Sequence, residues 1–331
     1  VGVPCSEIPA DWGRQRIKDL NIGKVLLQAF TSIFKTNKTL HQKGVSTSLI
    51  KQFLYSQKAP GQMWETVAAK IIELRGEIRL NTRVEKINTE KDNSMHSVGI
   101  RELARGQESE LKGDYFFSTI PVKHFIQNMQ PVVISEAIKQ IMANPAYRDF
   151  MIVGLLFKKS QNRQGTIAEL TDNWIYLQDQ NLVAGRSQIF NNWSPYMVAD
   201  EGTVWVGLEY FCRRSDAIWT MDPTKMIRLA HQELVKTGLI INEELLDGTV
   251  IKVPKAYPSY IGSYDQFDKV QQWLERFENL YLVGRNGMHR YNNTDHSMMT
   301  AMTAVENIIA HQKSRANIWA VNMEEDFHES K

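Results

Sequence analysis

The sequence predicts a mixed α/β fold, of the α+β kind in the way its elements segregate, and two observations carry that expectation. Near the C-terminus an apolar run, Leu280 to Val283, leads through Gly284 and Gly287 into helical spacing from Asp295 to Ile309. A buried strand, a glycine-punctuated loop and a helix therefore follow one another. Between Tyr147 and Phe211, strand-like runs instead alternate with turns and few helices intervene, the pattern of a largely antiparallel sheet.

At 331 residues the chain is long enough for two domains with cores of their own. A formal net charge of +2 gives no ground for expecting a nucleic-acid surface. The two cysteines, Cys5 and Cys212, make no ligand cluster and suit a reducing cytoplasm, the expected location. No apolar run approaches the length of a membrane span, and the first residues lack the basic-then-apolar order of a signal peptide. The histidines are scattered, with no pair at zinc spacing, so no metal is expected. Neither a Gly-x-Ser-x-Gly elbow nor a Gly-x-x-x-x-Gly-Lys-Ser/Thr loop occurs. No Gly-x-Gly-x-x-Gly follows a strand, so the usual turn for a dinucleotide pyrophosphate is not encoded here.

Residues 1–55 read as a mainly helical segment, with Asp11 placed favourably near one helix start. The Ala59-Pro-Gly turn runs into a helix with Val67, Ala68, Ile71, Ile72 and Leu74 as its apolar positions, stopping before Gly76. Ile78, Leu80, Thr82 and Val84 alternate as in a strand, and residues 92–113 form a small β-excursion. Tyr115 to Ile120 is a buried strand ended by Pro121, and 122–145 is mostly helical. Strands follow at 147–157, 172–177, 187–190 and 203–211, then a helix over 226–234 and a returning strand over 249–252. Val253 to Tyr264, with two prolines and three tyrosines, is expected to be irregular rather than helix or regular strand. A helix from Phe267 leads back to Leu280, and 317–331 is a polar tail.

The segment from Gly284 has its own chemistry. A helix start leaves backbone N–H groups without intrahelical partners and favours negative charge, with Thr294 or Asp295 as the expected N-cap. Gly284 admits close approach to the backbone, and Arg285 is placed to meet phosphate. Met298, Ala301, Met302, Val305, Ile308 and Ile309 form the face expected to be buried. In the sheet region, Trp174, Tyr176, Phe190, Trp193, Trp205, Tyr210 and Phe211 suit core or cross-strand packing first, with Asn191 to Pro195 and Glu209 as polar neighbours that could face a ligand.

Read as a string, Gly284-Arg-Asn-Gly287, Tyr291 and Asp295 resemble the C-terminal flavin-contacting motif of FAD-dependent amine oxidases and protoporphyrinogen oxidases, and closely that of UDP-galactopyranose mutases. Gly2-Val-Pro-Cys-Ser-Glu-Ile-Pro-Ala-Asp-Trp12 is similar to a segment that, in the same group, follows a complete dinucleotide-binding half. The resemblance implies the C-terminal part of an FAD domain of the two-dinucleotide-binding-fold type, with an inserted, mainly antiparallel substrate domain. On that reading, 56–121 is the middle of the FAD domain, 122–252 the substrate domain and 253–316 the last part of the FAD domain. It implies cofactor contacts at Val84, Thr119, Pro121, Gly284, Arg285, Asn293, Asp295, His296, Ser297 and Met298. It implies catalytic roles for Lys255 and Tyr257, although that string also suits a surface turn. Substrate contacts would come from Trp193, Tyr210, Tyr260, Arg285 and Tyr291.

The implied activity is flavin-mediated oxidation of a small molecule. A flavin-dependent nucleotide-sugar isomerase and a non-catalytic, truncated or split-gene fragment remain as alternatives. Because the pyrophosphate turn is missing, FAD binding is expected to need an upstream polypeptide half of about 150 residues, one typical domain. Without it the chain is expected to self-associate.

Overall fold

The computed structural model describes residues 54–90, 93–143, 147–159, 167–240, 243–259 and 266–321, so the helical expectation for 1–53, the Tyr260 assignment and the end of the polar tail lie outside the described residues. In chain order the elements are α1 (Ala59–Glu73), β1 (Thr82–Thr89), β2 (Met95–Glu102), β3 (Glu108–Lys112), β4 (Phe116–Ser118), α2 (Val122–Gln127), β5 (Met129–Gln130), α3 (Glu136–Ala143) and β6 (Tyr147–Lys158). They continue with β7 (Trp174–Tyr176), β8 (Arg186–Ile189), α4 (Phe190–Trp193), β9 (Thr203–Cys212), α5 (Ala217–Thr220), α6 (Pro223–Thr237) and β10 (Leu245–Pro258). Last come α7 (Phe267–Glu275), β11 (Leu280–Leu282), α8 (Gly284–Gly287), α9 (Thr294–Ile309) and α10 (Ala316–Ala320). None of these helices is long and apolar enough to cross a membrane. Among the described residues the elements gather into two compact units, one within 54–78 and 147–257 and the other within 79–143 and 258–321. The boundaries differ from those expected: α1 belongs with the sheet unit, and residues 122–143 with the other.

The sheet unit is built on five strands in the order β10-β6-β9-β8-β7. β6 and β9 pair antiparallel from Asp149↔Cys212 to Lys158↔Thr203. Period-two alternation sends Met151, Val153, Leu155 and Phe157, with Val204, Val206, Leu208 and Tyr210, to one face. Met226, Ala230 and Leu234 of α6 complete that core, the methionine and leucine side chains each contributing about 1.5–3 kcal/mol. α6 has the termini its sequence announces: the Asp222 carboxylate accepts from Thr224 N–H, Pro223 opens the helix, and Gly238 ends it at φ +74°. Of the string expected to be irregular, Val253 to Pro258 is instead the end of edge strand β10, where Pro254 costs no ladder bond that a central strand would need. The expectation was right at one residue: Lys255 has φ +55°, a left-handed kink inside the strand.

The second unit carries β3-β2-β1-β5 and a separate parallel pair, β11 with β4. Its core joins Ile87, Val122, Phe125, Ile126, Ile138, Val270, Leu274, Leu280 and Met288. The Asn279 side chain joins β2 to β11, accepting from Met95 N–H at 2.8 Å and donating to Met95 O at 2.8 Å. The strand expected from Ile78 begins only at Thr82, and Ile78 and Leu80 are exposed. The tail also starts later than expected, because Ile318 and Trp319 of α10 are buried.

Helix α9 departs from the expected amphipathicity, although Ala301 and Ile308 pack against the core as expected. Thr300, Ala304 and Asn307 are buried, whereas Met298, Met302, Val305 and Ile309 are exposed, Met302 at 53% and Ile309 at 74%. Small and amide side chains let the helix lie close to its neighbours: Thr300 Oγ1 accepts from Gly284 N–H at 3.0 Å, and Asn307 exchanges hydrogen bonds with Asn317. α1 likewise buries none of its residues.

Candidate functional site

The C-terminal loop is assembled where β4 and β11 end side by side. Val283 N–H donates to Ser118 O at 3.1 Å, carrying the parallel pairing one residue past the strands. The chain then turns at Gly284, φ +72°, into the single helical turn α8. A Cβ on Gly287 would lie 2.3 Å from Ser118 O, so only glycine allows the turn to sit on the β4 end. Thr119 and Ser297 flank Gly284 at 3.8 Å from where its Cβ would be. The structure thus brings together Thr119, Gly284, Ser297 and Thr300. Pro121 stands beside them in sequence as the N-cap of α2. Val84 lies at a break in the β1–β2 register, packed on the core of the unit.

The N-cap of α9 is Asn293, one residue before those expected, and it makes no side-chain cap bond. The helix start already holds a negative charge. Asp295, buried enough that desolvation would raise its pKa, is held below the usual carboxylate range by the hydrogen bond and charge of His296 and by backbone N–H groups of His296 and Asp295. Its Oδ1 lies 3.2 Å from His296 Nδ1. The helix start therefore suits a neutral hydrogen-bonding group better than the anion inferred from the bare sequence. Arg285 is also engaged within the loop: Nε and Nη2 both donate to Asn292 O, at 2.9 and 2.6 Å, and the guanidinium lies 4.8 Å from the Tyr291 ring centre. This brace gives Arg285 and Tyr291 a structural role that spacing did not reveal.

Three buried side-chain atoms of this loop have no partner: Asn286 Oδ1, Asn292 Nδ2 and Asp295 Oδ2. Asn292 is 3% exposed, and its amide oxygen faces Ser297 Oγ at 2.9 Å. Ser297 Oγ also lies 3.1 Å from Asn293 O, and a hydroxyl has one proton to give. If that proton goes to Asn293, the Asn292 amide turns over and leaves its oxygen open instead. One amide atom stays unsatisfied in either case. Buried polar groups are nearly always paired, so three open ones in one loop, among the described residues, make it a candidate ligand site. Met298, at the exposed edge of α9, takes no part in this cluster.

The sheet unit carries the remaining candidates. Tyr210 is corrected: the pleat that turns Glu209 to one face turns Tyr210 to the core, where it is fully buried and donates to Glu233 Oε2 at 2.8 Å. Burial, reinforced by the Glu233 carboxylate, keeps its phenol protonated. Trp193 packs edge-on against Trp174 with ring centres 4.8 Å apart, and lies 5.1 Å from Tyr55. Tyr257 joins Phe150 and Phe211 in an aromatic group. Lys255 N–H donates to Asp149 Oδ1 at 2.8 Å.

Sequence reasoning missed Arg186 and Gln188. They share with Glu209 the face opposite the α6 core: Arg186 Nε and Gln188 Nε2 donate to the Glu209 carboxylate at 2.7 and 2.6 Å, and Arg186 lies 4.4 Å from the Trp174 ring centre. The available signal was one charge, Glu209, in an otherwise apolar strand. For Asn286 and Asn292 there was none, since loop asparagines are common. Among the described residues no cluster of His, Cys, Asp or Glu could hold a metal ion.

An antiparallel sheet unit and a strand–glycine–helix loop set on a parallel strand pair define an α/β fold of the flavoprotein-like kind. A crystal structure of reduced UDP-galactopyranose mutase matches 97% of this chain with a TM-score of 0.70 at 17% identity, covering 65% of the mutase chain. A putative protoporphyrinogen oxidase from Exiguobacterium sp. 255-15 matches 75% of this chain with a TM-score of 0.54 at 16% identity, covering 51% of that chain. The chain thus spans less than two thirds of the length of either structure. At these identities the likeness establishes the fold. No protein-family model matches the sequence, and no curated protein does.

Proposed function

We propose that this chain supplies a flavin-contacting loop and a substrate wall to an FAD-dependent oxidoreductase acting on a small molecule. The observation that carries the reading is the set of open polar atoms at Asn286, Asn292 and Asp295 in a loop whose fold neighbours are flavoprotein-like. These residues fit the polar edge of a flavin: Asp295 Oδ2 and Asn286 Oδ1 can accept hydrogen bonds from N–H or O–H groups, and the Asn292 amide can donate or accept one. Gly284 and Thr119 leave the backbone approachable beside them. When bound, the flavin would supply the redox chemistry. The chain's part is to seat it and to keep Asp295 ionised through His296. Within the sheet unit, Lys255 and Tyr257 are the proposed catalytic residues and Trp193 a proposed substrate contact. The diphosphate of FAD has no evident seat among the described residues, since Arg285 is committed to Asn292.

A second reading, a flavin-dependent sugar-nucleotide mutase, is favoured by the higher TM-score of the mutase match. In that reading Arg285 leaves Asn292 to meet the substrate diphosphate.

The test is equilibrium titration of the purified chain with FAD, followed by flavin fluorescence, alongside Asn292→Leu. The expected result is weak, saturable binding that does not survive removal of free ligand, and that the variant weakens by about tenfold, the 1.4 kcal/mol scale of one hydrogen bond. Equal binding by both proteins would sink the loop assignment. A stoichiometric flavin band after desalting would show instead that the chain seats the whole cofactor unaided.

A further inference from the structure

At the end of the sheet unit where β6 runs beside the close of β9, cationic side chains outnumber carboxylates among the described residues. Arg148, Arg213, Arg214, Lys252 and Lys255 stand there against Asp149 and Asp216. Both carboxylates are largely committed to backbone. Asp149 accepts from the N–H groups of Lys255 and Arg214 at 2.8 and 2.9 Å, and Asp216 accepts from Arg213 N–H at 2.7 Å. The ion pair of Arg214 with Asp149 is long at 3.9 Å. Lys252 and Arg214 lie 5.7 and 6.0 Å from the ring centre of Trp219, which holds them on one surface.

Arg148 makes the group more than a scatter of surface cations. Its Nη2 donates to Phe211 O at 2.9 Å, while Nε is buried and has no partner. Burial, followed by the nearby charge of Arg213, lowers its pKa from the ordinary arginine value. A guanidinium that is half-buried, repelled by its neighbour and short of one acceptor is stabilised by a compact oxyanion. That oxyanion would accept a hydrogen bond from the guanidinium and offset the excess charge.

We propose that Arg148, Arg213 and Arg214, with Lys252, form an anion subsite that takes the phosphate group of a small molecule. The site lies wholly within the sheet unit and goes beyond the flavin reading, whose loop belongs to the other unit.

The experiment is thermal unfolding of the full chain with inorganic phosphate and with pyrophosphate, each against sodium chloride at matched ionic strength. It is repeated with Arg213→Gln, whose exposed side chain makes no contact the fold needs, and with Arg148→Gln. The subsite predicts a saturable stabilisation by phosphate, larger with pyrophosphate, with the dissociation constant raised about five- to tenfold in Arg213→Gln. If Arg148→Gln lowers stability on its own, Arg213→Gln still decides the matter. Stabilisation that chloride reproduces, or that Arg213→Gln retains unchanged, overturns the proposal.

Discussion

Glu209 in the sheet unit and Asn292 in the C-terminal loop are both almost fully buried, 1% and 3% exposed, yet their surroundings are built differently. Both oxygens of Glu209 are engaged, Oε2 by Arg186 and Oε1 by Gln188. Asn292 has its backbone oxygen held by Arg285 and its side-chain oxygen by Ser297, while Nδ2 is left open. A closed cluster gains nothing from a further partner, and its polarity is architecture. An open one carries a desolvation cost that only a ligand or a water removes, which makes it a site. Variants in the two places should therefore respond in opposite ways.

The largest effect belongs to the closed cluster. Glu209→Ala leaves the Arg186 guanidinium, largely buried on Trp174, without its counter-charge, and should cost about 3–5 kcal/mol. The paired replacement Arg186→Met with Glu209→Leu removes both charges and should recover most of that loss. Urea unfolding of both proteins measures the contrast. If the single variant loses less than about 1 kcal/mol, the scale of an exposed ion pair, the cluster is not closed and contributes little.

Next is the pH dependence of the loop unit. His289 is buried against Phe267, and burial depresses its pKa to about 4, partly offset by a backbone bond with Ser259. Unfolded, it titrates near 6.5, so between these values the unfolded chain binds a proton that the native chain refuses. The stability from neutral His289 is complete above pH 6.5 and is lost as pH falls toward 4, about 3 kcal/mol in all. His289→Asn tolerates the left-handed backbone, φ +48° at this residue, and does not titrate. Comparing the two proteins across this window isolates the effect, and parallel stability curves would count against it.

The open cluster should show the opposite sign. Asn292→Leu removes a buried amide with an unsatisfied atom at nearly constant volume, and Ser297 keeps Asn293 O as its acceptor. Ligand-free stability should rise, or at least not fall, by roughly 1 kcal/mol, even as flavin binding weakens. Chemical denaturation without flavin reads the first effect. A loss of 2 kcal/mol or more would mean that Asn292 is architecture, like Glu209.

What the sequence revealed follows from which forces act locally. Asp222, Pro223 and Gly238 announce α6 because capping is decided within a few residues, and the strand-like apolar runs at 147–157 and 203–211 announce the central strands. The glycine loop was legible for the same reason: Gly284 and Gly287 meet a backbone requirement that other residues cannot. Tyr210 was misjudged because the face of a strand residue depends on which side its helix packs. Lys255 was half right, with the irregularity legible and the strand around it not, because β10 is a strand only through pairing with β6. The commitment of Arg285 to Asn292 depends on loop geometry that spacing does not encode.

The smallest expected effect tests the exposed face of α9. Apolar periodicity placed Met302 in a core, where an aspartate would unfold the chain. In the structure Met302 is 53% exposed and the helix rests on Thr300, Ala304 and Asn307 instead. An aspartate at 302 keeps its hydration, and the substitution removes little buried surface, so Met302→Asp should change stability by no more than about 0.5 kcal/mol. Ala304→Asp, two positions along on the buried side, sets the scale: it places a charge in a fully buried site without a partner and should cost several kcal/mol or prevent folding. Melting temperatures of the two variants measured together give the orientation of the helix directly. A Met302→Asp protein that fails like Ala304→Asp would show that the Met298–Ile309 stripe is covered in the folded chain, and the helix would then be packed on both sides.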